Sequence, residues 1–377
     1  MSKISFYQFL SQFPKADLHY HLLGGVRLET MLAFAKKYDY PLSELEAKSY
    51  YRAYKAETGS TKGGIAALTF LYELMQEAED YERVLLEVAE DAHACGVRYI
   101  ETFWNPSDTH LSYDDVNQAL VRGIEKSLLQ FNITIRLIPS INREKSPELA
   151  VEMVEMMLQH PHPYVLGIGI DYKEHNASVE LFWQAYRLAQ DNGYKLTAHC
   201  SEFGLHWRNV VAGIELVEVD RIDHGYSIID NPKLTAQYAE QGIPFTVVPS
   251  NTYFLSQWPE HAEWQVKHPI RAMAKAGLNI IPCTDDWHMH ATDSTNCYRV
   301  MVEDFGFDIE SLKHFMLNSL GASWLPKKLK KQLVSQWTTE FDLLRAQIDQ
   351  EPEIAPQHLI EYRRHPVSKH KIYVNKA

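Results

Sequence analysis

Asp17-Leu18-His19-Tyr20-His21 sets two imidazoles at i and i+2, just after an apolar-polar alternation. In a strand, alternate residues point to one face. His19 and His21 then project together, as two ligands of one metal must. Two strand histidines with unrelated partners fit the pair equally well, so it needs company. That company is His199 with Glu202, His224, and the carboxylate pair Asp285-Asp286. Three imidazole nitrogens and one carboxylate oxygen suit Zn²⁺, with a position left open for water. Zinc lowers the pKa of such a water to about 7, which gives hydroxide at neutral pH. Glu202, three residues past His199, is close enough to exchange protons with a substrate. His224 is suited to deprotonating or orienting the water. Each residue also has a plain structural reading: helix entry for His224, a helix cap for Asp285-Asp286, a solvated carboxylate for Glu202.

The elements that carry these residues decide between the readings. Short apolar segments alternate with long helical patterns from Ala16 onward. Strands are expected at Ala16–Tyr20, Val97–Phe103, Ile133–Pro139, Val165–Asp171, Tyr194–His199, Arg221–His224, Pro244–Val248 and Asn279–Thr284. Helices are expected at Tyr81–Cys95, Pro147–Gln159 and Ala177–Asn192, the last stopped by Gly193. Eight strands separated by helices predict a (β/α)8 barrel of the TIM type. An open doubly wound sheet is disfavoured, because no Gly-x-Gly-x-x-Gly follows the first strand. Residues 1–350 read as one barrel domain with a helical insertion at about 26–80 and helices from Ile309 to about Gln350. Gly59–Gly64 breaks the insertion, a pattern suited to a lid. The tail 351–377 reads as polar. In such a barrel the catalytic groups gather at the strand C-termini, where all the candidates fall.

The ordered motifs resemble the adenosine deaminase family of the amidohydrolase superfamily over nearly the whole chain. Pro14–Leu22 is similar to the family's opening Pro-Lys-x-Glu-Leu-His-x-His. Glu87–Asp91 and Gly96–Glu101 match its second helix and strand. Thr197–Glu202 corresponds to its His-Ala-Gly-Glu, and Arg221–Gly225 to Arg-Ile-Gly-His-Gly. His268-Pro269-Ile270-Arg271 leads into Cys283–Asp286, which resembles Ser-Thr-Asp-Asp. The resemblance implies one zinc per chain, held by His19, His21, His199 and Asp285. It implies that Glu202 protonates the ring nitrogen beside the attacked carbon, that His224 holds and activates a zinc-bound water, and that Asp286 hydrogen-bonds the purine. The implied reaction converts an adenosine-like aminopurine to an oxopurine and ammonia.

Departures from the pattern fall at recognition positions. Leu23, followed by Gly24, stands where nucleoside-acting members usually carry an acid that helps bind ribose. A leucine accepts no hydroxyl hydrogen bond. Glu174 replaces a glycine near the purine, and Trp287 a proline after the aspartate pair. Phe103, Trp104, Phe203, Trp207 and Trp287 predict an aromatic mouth. Leu23, Gly24, Phe103, Glu174 and Trp287 are therefore the expected substrate-binding positions. The reaction is expected to be kept while the substrate drifts.

Two rivals remain at this point. A binuclear amidohydrolase would use Lys173, just past the fourth strand, as a bridging ligand. An inactive binding paralogue is disfavoured because no implied ligand or proton carrier is missing. The second His-x-His, at His288 and His290, reads as local packing. A net charge of −12 and a pI near 5.8 exclude a nucleic-acid surface and point to a small-molecule substrate. Cys95, Cys200, Cys283 and Cys297 show no Cys-x-x-Cys spacing and read as reduced thiols in a cytoplasmic protein. No membrane-span or signal-type run is visible.

Overall fold

The computed structural model describes residues 3–56, 65–175, 177–250, 257–350 and 352. The eight strands are β1 (Lys15–His21), β2 (Val97–Trp104), β3 (Thr134–Asn142), β4 (Gly167–Asp171), β5 (Lys195–Cys200), β6 (Arg221–His224), β7 (Pro244–Val247) and β8 (Asn279–Pro282). They pair in chain order and in parallel. Closure occurs just past β8: the Asp285 N–H donates to the His19 carbonyl at 2.9 Å, and the His21 N–H to the Asp285 carbonyl at 3.2 Å. The fold is the expected (β/α)8 barrel. Every residue of β1 is buried, as a strand covered on both faces must be.

Every expected strand exists, with ends shifted by a few residues. β3 runs three residues beyond Pro139, to Asn142. The helix expected at Tyr81–Cys95 runs from Ala78 to Ala94, and a capping box of Glu77 and Asp80 opens it. Pro147–Gln159 forms as expected, with Pro147 at the first turn. The segment after β4 opens as a 3₁₀ turn, Val179–Phe182, and continues as the helix Trp183–Asp191. Gly193 follows it at φ +82°, a conformation glycine adopts without steric cost. Helices Leu28–Lys37, Glu44–Ala56 and Ile65–Leu74 build the insertion between β1 and β2. The Gly59–Gly64 break and the tail 353–377 lie outside the described residues. Helices Ile309–Ala322 and Lys327–Arg345 follow the barrel. No helix of the described residues is long and apolar enough to cross a membrane. The four cysteines are buried and free.

Side chains of one parity fill the barrel axis. Glu101 and Arg221 are fully buried and pair at 2.6 Å. The Tyr99 hydroxyl and the Trp324 N–H each donate to Glu101 Oε1 at 2.7 Å. The Arg221 guanidinium lies 4.4 Å from the Trp324 ring centroid. The pair sits where solvent cannot replace a lost partner. Removing one member leaves the other charge unpaired, which costs about 3–5 kcal/mol. Glu101→Ala is expected to lose that much in urea unfolding; a loss below about 1 kcal/mol would show that the pair does not hold the barrel.

Candidate active site

His19 and His21 project inward from β1, and His199 from β5. Asp285 lies three residues past the end of β8. All four are buried. Their ligand atoms face one another: His21 Nε2 lies 3.1 Å from His199 Nε2, and Asp285 Oδ1 lies 3.3 Å from His21 Nε2 and 3.6 Å from His19 Nε2. Zinc–nitrogen bonds of 2.0–2.1 Å in a tetrahedron put neighbouring ligand atoms about 3.3–3.4 Å apart. These three separations, 3.1–3.6 Å, bracket that value, and all four ligand atoms lie within 4.8 Å of one another. His19 Nε2 is buried with no hydrogen-bond partner. A buried ring nitrogen in that state costs free energy unless something binds it. The donor set and the orphaned nitrogen both fit a zinc ion.

The electrostatics agree. Burial pushes the imidazoles of His19, His199 and His224 down, and that of His21 down to about 3, where the neighbouring His19 adds to the effect. They are neutral at ordinary pH, the form that ligates metals. Burial, then the nearby Asp286 and Asp223, push the Asp285 carboxyl up. A cation among these groups relieves both strains.

The clustered residues rest on a further ring of side chains that sequence reasoning missed. Asp223 is fully buried and accepts the hydroxyls of Thr197 and Thr246, each at 2.7 Å. Its carboxylate lies 3.8 Å from His19 Nδ1 and 3.5 Å from His199 Nδ1. Thr246 Oγ1 stands 2.9 Å from His19 Nδ1. Asp171 Oδ2 lies 3.6 Å from His21 Nδ1, and the Asn105 amide donates to Asp171 Oδ1 at 2.7 Å. Burial raises the Asp171 carboxyl to about 8. Such partners orient an imidazole and raise its basicity as a ligand. The available signal was parity: in β6, Asp223 shares the inward face with Arg221.

His224 breaks that parity. Strict alternation in β6 would turn its ring outward. Its backbone sits at φ +67°, and the ring instead lies 4.7 Å from that of His19 and 5.0 Å from that of His199. His224 Nδ1 lies 3.3 Å from the Tyr226 hydroxyl, which accepts the Val248 N–H at 2.9 Å. His224 Nε2 faces Glu202 Oε2 at 3.6 Å and Asp285 Oδ2 at 3.9 Å. Tyr172, Ser201 and Asp285 also have positive φ, at 69°, 59° and 64°. Non-glycine residues held in this region cost free energy, and such strain concentrates at functional sites. These four lie just past β4 and β5, at the last residue of β6, and just past β8, while Asp39, Asn132, Glu218 and Ala291 have positive φ elsewhere.

The expected substrate-binding positions lie as follows. Phe103 is fully buried beneath the ligands, with its ring 5.0 Å from that of His21 and 5.4 Å from those of His19 and His199. It forms a floor under the three imidazoles. Gly169 makes room for it, since a Cβ there would stand 2.8 Å from the Phe103 ring. Trp287 packs 5.6 Å from the ring of Tyr20, which points away from the site face of β1. Trp104 likewise faces outward and stacks on Tyr113. Glu174 is buried with its carboxylate turned to the loop after β5, where it accepts the N–H groups of Ser201 and Glu202 at 2.6 and 3.1 Å. Leu23 and Gly24 lie in a buried 3₁₀ turn after β1. A Cβ on Gly24 would stand 2.1 Å from Asp286 Oδ1, so only glycine lets this turn rest on Asp286. His290 is buried near Asp285 and Asp286, while His288 Nε2 meets Asp91 at 3.0 Å. Lys173 is exposed.

A family model described as adenosine deaminase matches residues 14–340. The chain belongs to the adenosine deaminase family. An amidohydrolase of Burkholderia ambifaria, solved with bound zinc, is 41% identical with a TM-score of 0.87, and the match covers 91% of this chain and 95% of that one. An adenosine deaminase of Clostridium perfringens is 27% identical over 329 residues, 86% of this chain and 98% of its own. An adenine deaminase of Schizosaccharomyces pombe is 26% identical over 347 residues, 89% of this chain and 93% of its own. This family carries out hydrolytic deamination, so the chain is a hydrolase of the deaminase type.

Replacing Asp223 by Asn would keep the shape but remove the charge behind two ligating imidazoles. Metal affinity of Asp223→Asn is expected to fall about 10–100-fold in competition with a zinc chelator, with the fold intact. Unchanged affinity would contradict the supporting role of Asp223.

Proposed function

We propose that this protein hydrolyses the exocyclic amine of an adenosine-like aminopurine, releasing ammonia and leaving an oxopurine. The observation that carries the reading is the placement of Glu202 and His224 against the His19, His21, His199 and Asp285 cluster, within 3.9 Å of one another along the chain Glu202–His224–Asp285. Relatives named adenosine deaminase and adenine deaminase support it. One zinc per chain, held by these four side chains, would supply the Lewis acidity that lets a water ionise near neutral pH.

The residues divide the proton work. His224 Nε2 takes a proton from the attacking water as the new C–O bond forms. Protonated Glu202 gives its proton to the ring nitrogen beside the attacked carbon, so the ring carries no net negative charge as the carbon becomes tetrahedral. The proton on His224 passes to the amine, the C–N bond breaks, and ammonia leaves. The remaining hydroxyl proton returns to Glu202 as the carbonyl forms. Asp286, held against the Gly24 turn, hydrogen-bonds the purine near its imidazole ring. The substrate is a small molecule rather than a nucleic acid, and the buried free thiols suit a cytoplasmic enzyme.

Leu23 gives a sugar hydroxyl no partner. A pocket without that partner discriminates weakly for the hydroxyl. The kcat/KM values for adenosine and 5′-deoxyadenosine, read as ammonia release, are expected to lie within about 10-fold of each other. A preference for adenosine above about 100-fold would overturn this account of Leu23. Glu202→Gln is expected to keep its zinc and lose about 10²–10⁴-fold in kcat. Near-normal turnover in that variant would remove Glu202 from the mechanism.

A further inference from the structure

Glu174 stands three residues past β4 with its side chain buried. A buried carboxylate needs several donors to offset lost hydration. Glu174 has three. Its Oε1 accepts the Ser201 N–H at 2.6 Å and the Asn209 amide at 2.9 Å, and its Oε2 accepts the Glu202 N–H at 3.1 Å. Burial pushes the Glu174 carboxyl up, and the Arg143 charge partly offsets that. That guanidinium is itself buried and donates to the carbonyls of Asp171 at 3.0 Å and His199 at 2.6 Å. The β4 and β5 ends, with the loop bearing Glu202, are thus tied by two buried charged side chains, Glu174 and Arg143, most of whose hydrogen bonds end on backbone.

The loop needs that tie. Ser201 is a non-glycine residue at φ +59°, a conformation that costs free energy and persists only when its surroundings enforce it. The two N–H groups that Glu174 holds flank this residue's turn: one belongs to Ser201 itself and the next to Glu202. Releasing them would let the peptide relax and carry the Glu202 carboxylate away from His224, now 3.6 Å distant.

We infer that Glu174 is a positioning residue for the proton carrier: it clamps the strained Ser201–Glu202 peptide and so sets where the Glu202 carboxylate stands. This role rests on the reading of Glu202 given above. It predicts loss of turnover rather than loss of substrate binding. Glu174→Gln keeps the size, but its NH₂ group must face an N–H donor in place of an acceptor.

Steady-state kinetics, zinc content and a crystal structure of Glu174→Gln test the inference together. Small misplacements of a catalytic group cost up to about 100-fold in rate. The expected result is a kcat lower by about 10–100-fold, KM within about 3-fold of wild type, full zinc, and a Glu202 carboxylate displaced from His224. Glu174→Asp keeps the charge one methylene shorter and is expected to retain more turnover than Glu174→Gln; it also carries the test if Glu174→Gln does not fold. A KM that rises while kcat holds would assign Glu174 to substrate contact and overturn the inference. So would unchanged kinetics with Glu202 in place. If wild-type protein deaminates no aminopurine, the function proposed above fails. The displacement of Glu202 in the variant crystal still decides whether Glu174 sets its position.

Discussion

A buried ring nitrogen with nothing to bind is the constraint on which this structure turns. His19 Nε2 lies in the barrel mouth, walled from water and without a hydrogen-bond partner. Two more imidazoles and the Asp285 carboxylate converge on the same point. Burial keeps the imidazoles neutral, while the carboxylate lies among other acids. A divalent cation among them would satisfy all four at once. Most of what surrounds them serves that convergence: barrel closure through Asp285 backbone bonds, the Phe103 floor, and the Asp223 and Thr246 supports.

The supports connect to the barrel axis through alternating charge. Glu101 meets Arg221 at 2.6 Å, Arg221 lies 3.8 Å from Asp223, and Asp223 stands behind His19 and His199. Each member of this column is desolvated, so each depends on its neighbours for compensation. The stability of the barrel and the basicity of the ligands are thereby linked through the same residues. The left-handed backbone at His224 and Asp285 adds local strain where the functional groups must leave the strand pattern.

The eight strands, three of the helices between them and the gathering of His19, His21, His199, Glu202, His224 and Asp285 at the strand ends were legible in the sequence. Barrel strands read as short apolar runs, and His19 and His21 follow simple alternation. Alternation does not account for every placement. His224 lies near its partners because its φ is positive, and a period-2 pattern carries no information on that. Phe103 and Trp287 look alike as aromatic residues near strand ends, yet parity and the turn after β8 send one beneath the ligands and the other behind β1. Glu174 read as a substrate contact because of its position after β4. Its carboxylate is held by donors 27 and 28 residues further along the chain, a pairing that only the closed barrel creates.

Zinc-edge anomalous diffraction from crystals grown with stoichiometric zinc tests the central claim most directly. One peak is expected per chain, equidistant within bonding reach of His19 Nε2, His21 Nε2, His199 Nε2 and Asp285, at about 2.0–2.2 Å from each. A peak that leaves any of those four atoms beyond bonding reach, a second peak bridged to the first, or no peak at this point would contradict the account.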